Sequence, residues 1–274
     1  MAEKVAVQVQ SEIGDLEGVI VHTPGNEVEN MIPENAERSL YSDILNLTVA
    51  SLEHRQLTGA LKKVTRVFEV RELLQDVLTN EKVKADLVRQ VCQNEQVESM
   101  QEHLLALGPD ELARQLIEGV VMIKDNLTRY LDTNRYILRP LHNFFFTRDA
   151  SVTINNEVYI NQMASSVRAR ESIIMETIFN YNPNFVARTV NPLTSPFYHP
   201  QMSIEGGDVL VAREDVLLIG MGGRTNSRAI DFIIERAKAQ KEQKHIIVQE
   251  LPLKPESFIH LDMVFTFLDK DQCM

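Results

Sequence analysis

Cysteine is scarce: Cys92 and Cys273 are the two in 274 residues. Two thiols cannot make a disulfide framework, and neither stands in a CxxC pair or near histidines at zinc-ligand spacing. A reducing, cytoplasmic setting is therefore expected. Positive charge is also short, with 28 Lys and Arg against 39 Asp and Glu and a net charge of -11. That balance opposes an anionic partner, so neither nucleic acid nor an acidic membrane surface is expected. Long apolar runs are missing too. Nothing approaches the roughly eighteen residues of a membrane span, and MAEKVAVQVQSEIGD at the start has no apolar leader core, which predicts a soluble, unexported chain. What the sequence does have is 44% hydrophobic residues, enough to bury a full core in one large domain or in one domain plus a small insertion.

The pattern changes along the chain. LEGVIVHTPG (16–25) is a short β-branched run ended by a Pro-Gly turn and reads as a buried strand. Leu40, Ile44, Leu47 and Leu52 then repeat at helical spacing, and KVTRVFEV supplies a second strand. LLQDVLTNEKVKADLVRQV, EQVESMQEHLLAL and PDELARQLIEGVVMI are amphipathic and rich in good helix formers, with a stop at Gly108-Pro109-Asp110. These pieces predict a first strand-bearing part over 1–71, an all-helical insertion over 72–141, and a continuation over 142–274.

The last part repeats itself. SVTINNEVYI and GDVLVAREDVLLIG each read as a hairpin, followed by the helices SVRARESIIMETIF and TNSRAIDFIIERAKAQ, the second leading into the strand HIIVQEL. Asp149 precedes Arg168 by nineteen residues, and Glu205 precedes Arg224 by nineteen. Equal offsets of acid and base suggest stacked copies of one element around a common axis. SFIHLDMVFTF opens a third such unit. Read as a strand, it puts Phe258, His260, Asp262, Val264 and Thr266 on one face and a core of Ile259, Leu261, Met263, Phe265 and Phe267 on the other.

NFFFTRDA, SIEGGDVL and FIHLDMV each set an ionisable group beside an apolar strand, where an unpaired charge is costly. Several carboxylates converging near a neutral histidine suit a cation, and a planar guanidinium matches carboxylates in bidentate geometry. A hard-metal site of Asp149, Glu205, Asp208 and His260 is the alternative on the same residues. Taken singly, each group has an ordinary structural role: a strand-end ion pair for Asp149, a tight turn at Gly206-Gly207 capped by Asp208, a core histidine at 260.

FFFTRDA, SIEGGDVLV, GMGGRTN and HLDMVFTFLDKD, with LEGVIVHTPG before them, resemble arginine deiminases, which convert L-arginine and water to L-citrulline and ammonia. The order FTRD, EGGD, HLD marks the guanidino-group-modifying superfamily, and the helical block points to arginine deiminase within it. The resemblance implies an α/β fold, a pseudo-fivefold propeller carrying the helical insertion and incomplete here. It implies that Asp149 and Asp262 grip the substrate guanidinium, that His260 is general acid and base, and that Glu205 orients it. Asn143, Arg168 and Arg224 would hold the α-carboxylate and its neighbours, with Phe146 and Leu40 lining the pocket. No cofactor and no metal are implied.

The same resemblance implies a cysteine thiolate that attacks the guanidinium carbon, with His260 protonating the departing ammonia and later activating water. Family members carry that cysteine in a segment well beyond HLD, which these residues do not include, so the chain corresponds to the N-terminal two-thirds of such an enzyme and is expected to lack activity alone. Cys92 and Cys273 read as structural. Uncovered strand edges would favour a homo-oligomer. Two rivals remain: a non-catalytic arginine-binding or regulatory protein, and a hydrolase of agmatine or methylated arginine.

Overall fold

A computed structural model describes residues 4–29, 45–255 and 258–274. The chain begins with strand β1 (Val5–Ala6) and divides into two compact units, one of residues 17–147 and one of residues 1–16 with 148–274.

In the 17–147 unit the two apolar runs form parallel strands, β2 (Gly18–Val21) and β3 (Arg66–Glu69), with Val19 opposite Val67. Between them the helix Leu47–Leu61 starts at Asn46, whose side chain accepts the Val49 N–H and satisfies a donor that the first turn leaves open. The helices Val70–Leu78, Glu81–Glu95, Gln101–Ala106 and Pro109–Glu118 follow. Their boundaries obey local chemistry. Asn80 caps the second, Gln96 ends it at φ 58°, and Pro109 occupies the first turn of the fourth, where its missing N–H costs nothing. Their apolar faces bury Leu74, Leu78, Val88, Leu104 and Leu112. Helical periodicity assigns all of 72–141 to helices, but the segment also holds an antiparallel pair, β4 (Val120–Val121) and β5 (Tyr136–Leu138). A β-branched pair and a three-residue apolar run are too short for an amphipathic helix, and pairing buries Leu138 instead. Leu40 lies outside the described residues.

The other unit contains the two repeated elements. β6 (Ser151–Ile154) pairs antiparallel with β7 (Glu157–Ile160), the chain turns at Asn155 (φ 53°), and the helix Ala169–Tyr181 leads through β8 (Phe185–Val186) to β9 (Thr189–Val190), which lies parallel to β7. β10 (Val209–Arg213) and β11 (Val216–Met221) form the next hairpin. The helix Ser227–Gln240 then brings β12 (His245–Glu250) parallel to β11. Hairpin then helix recurs as the sequence repeat predicts, and the structure adds a parallel strand after each helix, so one topology is used twice. The two copies share a core that includes Val152, Ile154, Val209, Leu217 and Phe232. β1 adds a parallel pairing to β8.

A short hairpin, β13 (Phe267–Asp269) and β14 (Gln272–Cys273), ends the described chain. HLD does not lie on a strand, contrary to the alternating-face reading. Leu261–Met263 is a single 3-10 turn, and Leu261 is buried while Asp262 is exposed. The reason is a cap: Asp208 Oδ1 accepts the Leu261 N–H at 3.0 Å, a local bond that a strand ladder would have had to replace. The other two motifs behave alike. Thr147–Ala150 and Gly206–Asp208 are one-turn helical segments immediately before β6 and β10.

Candidate active site

The one-turn segments bring their acids and histidine together in the 148–274 unit. Asp149, Glu205 and His260 are all buried, and a ligand atom from each lies within 4.8 Å of the others. Glycine makes this approach possible. A Cβ on Gly206 would sit 1.9 Å from the Arg148 carbonyl oxygen, and one on Gly207 would sit 2.9 Å from the His260 ring. EGGD therefore needs both glycines for close packing rather than for an unusual backbone angle.

His260 Nε2 donates to Glu205 Oε2 at 3.0 Å, and its Nδ1 lies 3.9 Å from Asp149 Oδ1. Burial disfavours the imidazolium, but the Glu205 hydrogen bond and the charges of Asp149 and Asp208 outweigh it and raise the histidine above its ordinary pKa. Glu205 responds in the opposite sense. Its burial favours the neutral acid, yet His260, Arg168 and Arg224 hold it below the usual carboxylate range. Glu205 Oε1 also accepts the Ala164 N–H at 3.1 Å.

Arg168 is the hub. Its Nη1 donates to Asp149 Oδ2 at 2.8 Å and lies 3.5 Å from Glu205 Oε2, while Nε and Nη2 fork onto Glu171 at 2.8–3.1 Å. Burial works against this cation; Glu171, Asp149 and Glu205 more than offset it and keep it charged. Sequence reading missed Glu171. The signal was present, since an acid three residues after Arg168 on a helix faces the same way.

Asp262 is solvent-exposed, and its pKa is raised, first by partial desolvation and then by Asp149, against the opposing pull of His260 and Arg148. Asp208 is fully buried and is pushed up to about 6, mainly by burial. Arg224 is half-buried and its charge bears on Glu205. Asn143 and Phe146 belong to the 17–147 unit, where Asn143 is buried and Phe146 is exposed beside Phe145.

The three ligand atoms within 4.8 Å of one another could also hold a metal ion. A histidine held toward its protonated form and two carboxylates facing an arginine make a poor metal donor set, because metal ligation needs the neutral imidazole. The same arrangement suits a planar cation. Among the described residues neither cysteine joins the group; Cys92 is buried and Cys273 is exposed.

The arginine deiminase family model matches residues 37–274. The chain belongs to the arginine deiminase family. It is 31% identical to the arginine deiminase of Bacillus cytotoxicus and 32% identical to that of Oenococcus oeni, over 98% and 99% of its own length. It spans 68% and 69% of those proteins. Among solved structures it resembles the N-terminal domain of ArgZ, a substrate-bound mutant of a cyanobacterial arginine dihydrolase, with TM-score 0.52 and 15% identity over 93% of this chain and 65% of that one. It also resembles a dimethylarginine dimethylaminohydrolase adduct with 4-chloro-2-hydroxymethylpyridine, with TM-score 0.50 and 14% identity over 94% and 68% of the two chains. Those likenesses show a shared mixed α/β fold. The deiminase family is one of amidine hydrolases, in agreement with the motif reading, and no described helix is long and apolar enough to cross a membrane.

Proposed function

We propose that this site binds the guanidinium group of free L-arginine, with Asp149 and Asp262 gripping it, His260 as the proton carrier and Glu205 orienting the imidazole. One observation carries the reading. The pair Asp149 and Glu205 already faces a guanidinium, that of Arg168, at 2.8 and 3.5 Å. Both carboxylates converge on one guanidinium nitrogen, Nη1, which supports a site that favours cationic N–H donors. The raised pKa of His260 supports its role as an acid, since it keeps a proton ready for departing ammonia.

Arg168 and Arg224 serve the α-carboxylate. Agmatine lacks that carboxylate and binds more weakly in this reading. The repeated hairpin-helix-strand topology supports a pseudo-fivefold propeller carrying an insertion over 72–141, and exposed Ile247 and Val248 on β12 support a homo-oligomer. A cytoplasmic setting agrees with both. Deimination also needs a thiolate against the guanidinium carbon. Among the described residues neither Cys92 nor Cys273 joins the Asp149, Glu205 and His260 group, which supports a reading in which this chain binds arginine without converting it.

The test is calorimetry with L-arginine and agmatine, together with a citrulline assay on this chain and on Cys273→Ala. Binding of arginine in preference to agmatine, without citrulline, is the expected result. Absence of arginine binding overturns the recognition reading, and citrulline that disappears with Cys273→Ala makes Cys273 the nucleophile.

A further inference from the structure

Arg148 lies beside the site and has no part in the roles assigned above. Its side chain is the most widely connected cation among the three motifs. Nε donates to the Gly206 carbonyl at 3.1 Å and Nη2 to the Val209 carbonyl at 2.7 Å, so the guanidinium spans the Gly206–Asp208 turn from its first residue to the residue after it. The other edge forks onto Glu12, with Nη2 to Oε1 at 2.7 Å and Nη1 to Oε2 at 3.0 Å. Glu12 is itself held twice by Val211, donating its N–H to the Val211 carbonyl and accepting the Val211 N–H on Oε1, each at 2.9 Å.

The consequence is geometric. Arg148 precedes Asp149, and its side chain grips the backbone that follows Glu205. Gly207 N–H closes the loop by donating to Asp149 Oδ1 at 3.2 Å. The two turns that present the carboxylates are thus joined from both sides, with the Arg148 carbonyl pressed against Gly206. Arg148 also bears electrostatically on Asp262. The contacts to Gly206, Val209 and Glu12 are directional bonds to three different partners, and a lysine, with one ammonium, cannot reproduce a planar fork and two carbonyl bonds together.

We infer that Arg148, locked by Glu12, is a positioning residue that sets the spacing of Asp149 against Glu205 and His260 for guanidinium binding. It touches no substrate. The inference rests on the guanidinium-binding reading of the site, and one experiment separates the two.

Arg148→Lys and Glu12→Gln are compared with the unaltered chain in two measurements: L-arginine affinity by calorimetry, and titration of the His260 ring followed by NMR. Both variants are expected to fold, to bind arginine about tenfold or more weakly, and to titrate His260 at lower pH, because carboxylates that drift from the ring support the imidazolium less. A purely structural role predicts lower thermal stability with an unmoved His260 titration, and that result overturns the inference. So does a folded pair of variants whose affinity and His260 titration both match the unaltered chain. If Arg148→Lys does not fold, Glu12→Gln decides alone, since it keeps the acceptor for the Val211 N–H and removes charge from the fork. If the unaltered chain does not bind arginine, the function reading fails, and the NMR measurement still decides whether Arg148 sets the spacing.

Discussion

Arg168 Nη1 lies 2.8 Å from Asp149 Oδ2 while the opposite edge of the same guanidinium is forked onto Glu171. Four bonds in two directions fix its plane and hold Asp149 and Glu171 on one buried cation.

Glu171→Ala leaves a buried guanidinium short of its forked partner. Breaking a buried pair from one side costs about 3 kcal/mol or more, so the thermal midpoint is expected to fall clearly. Glu171→Gln keeps one acceptor and should lose less. Equal midpoints for the alanine variant and the unaltered chain would contradict the hub described for Arg168.

Gly207→Ala places a methyl 2.9 Å from His260 Cγ and Nδ1 and 3.1 Å from Asp149 Oδ1. The ring must move, and arginine affinity is expected to fall on the order of a hundredfold. Gly59→Ala is the control. It has nothing within 4 Å, lies inside the helix Leu47–Leu61, and should stabilise by roughly 0.5–1 kcal/mol. Calorimetry on both variants checks the contrast.

His22 sits at the end of β2 in a buried cluster, with Nε2 3.1 Å from Glu27 Oε1 and Nδ1 3.4 Å from Glu69 Oε1. Burial opposes its charge, but the two glutamates prevail and raise its pKa from 6.5 to about 9. A raised folded pKa gives stability that is complete below pH 6.5 and is lost as pH rises through 9. Over that window the loss is on the order of 3 kcal/mol. Thermal melts at pH 6 and pH 10 should show it, with a much smaller difference in His22→Asn.

Asp208 is raised from 3.8 to about 6. Between those values the folded chain holds a proton that the unfolded chain has released, so this group makes stability fall as pH rises from 4 to 6 and leaves it level above. Asp208→Asn keeps an acceptor for the Leu261 N–H and removes that dependence. It should gain on the order of 2 kcal/mol relative to the unaltered chain between pH 4 and pH 7. Denaturant midpoints across that range test the slope, and parallel curves for the two proteins would refute it.

Much of this architecture is legible in local pattern. Strand pairs around Asn155 and around residues 213–215 follow from alternation and turn residues, and the helices after them follow from apolar periodicity. The nineteen-residue offset of Asp149 and Arg168 corresponds to a direct ion pair. The offset of Glu205 and Arg224 corresponds to an electrostatic influence with no hydrogen bond between the two among the described residues. Alternation misled at FIHLDMV, because Asp208, fifty-three residues before Leu261, caps that segment into a turn. Pattern within a window carries no sign of a partner so far away.

The sequence by itself determined the family and the repeated hairpin-helix elements, and it singled out Asp149, Glu205 and His260, which the fold brings together, because motif order and residue spacing are properties of the chain. Tertiary structure alone decided which charges meet. Whether Arg168 turns to Glu171 and Asp149, whether Arg148 bridges Glu12 to the Gly206–Asp208 turn, and which of two nearby aspartates, 208 or 262, is buried all depend on packing between distant segments. Desolvation at those contacts then sets each group's charge.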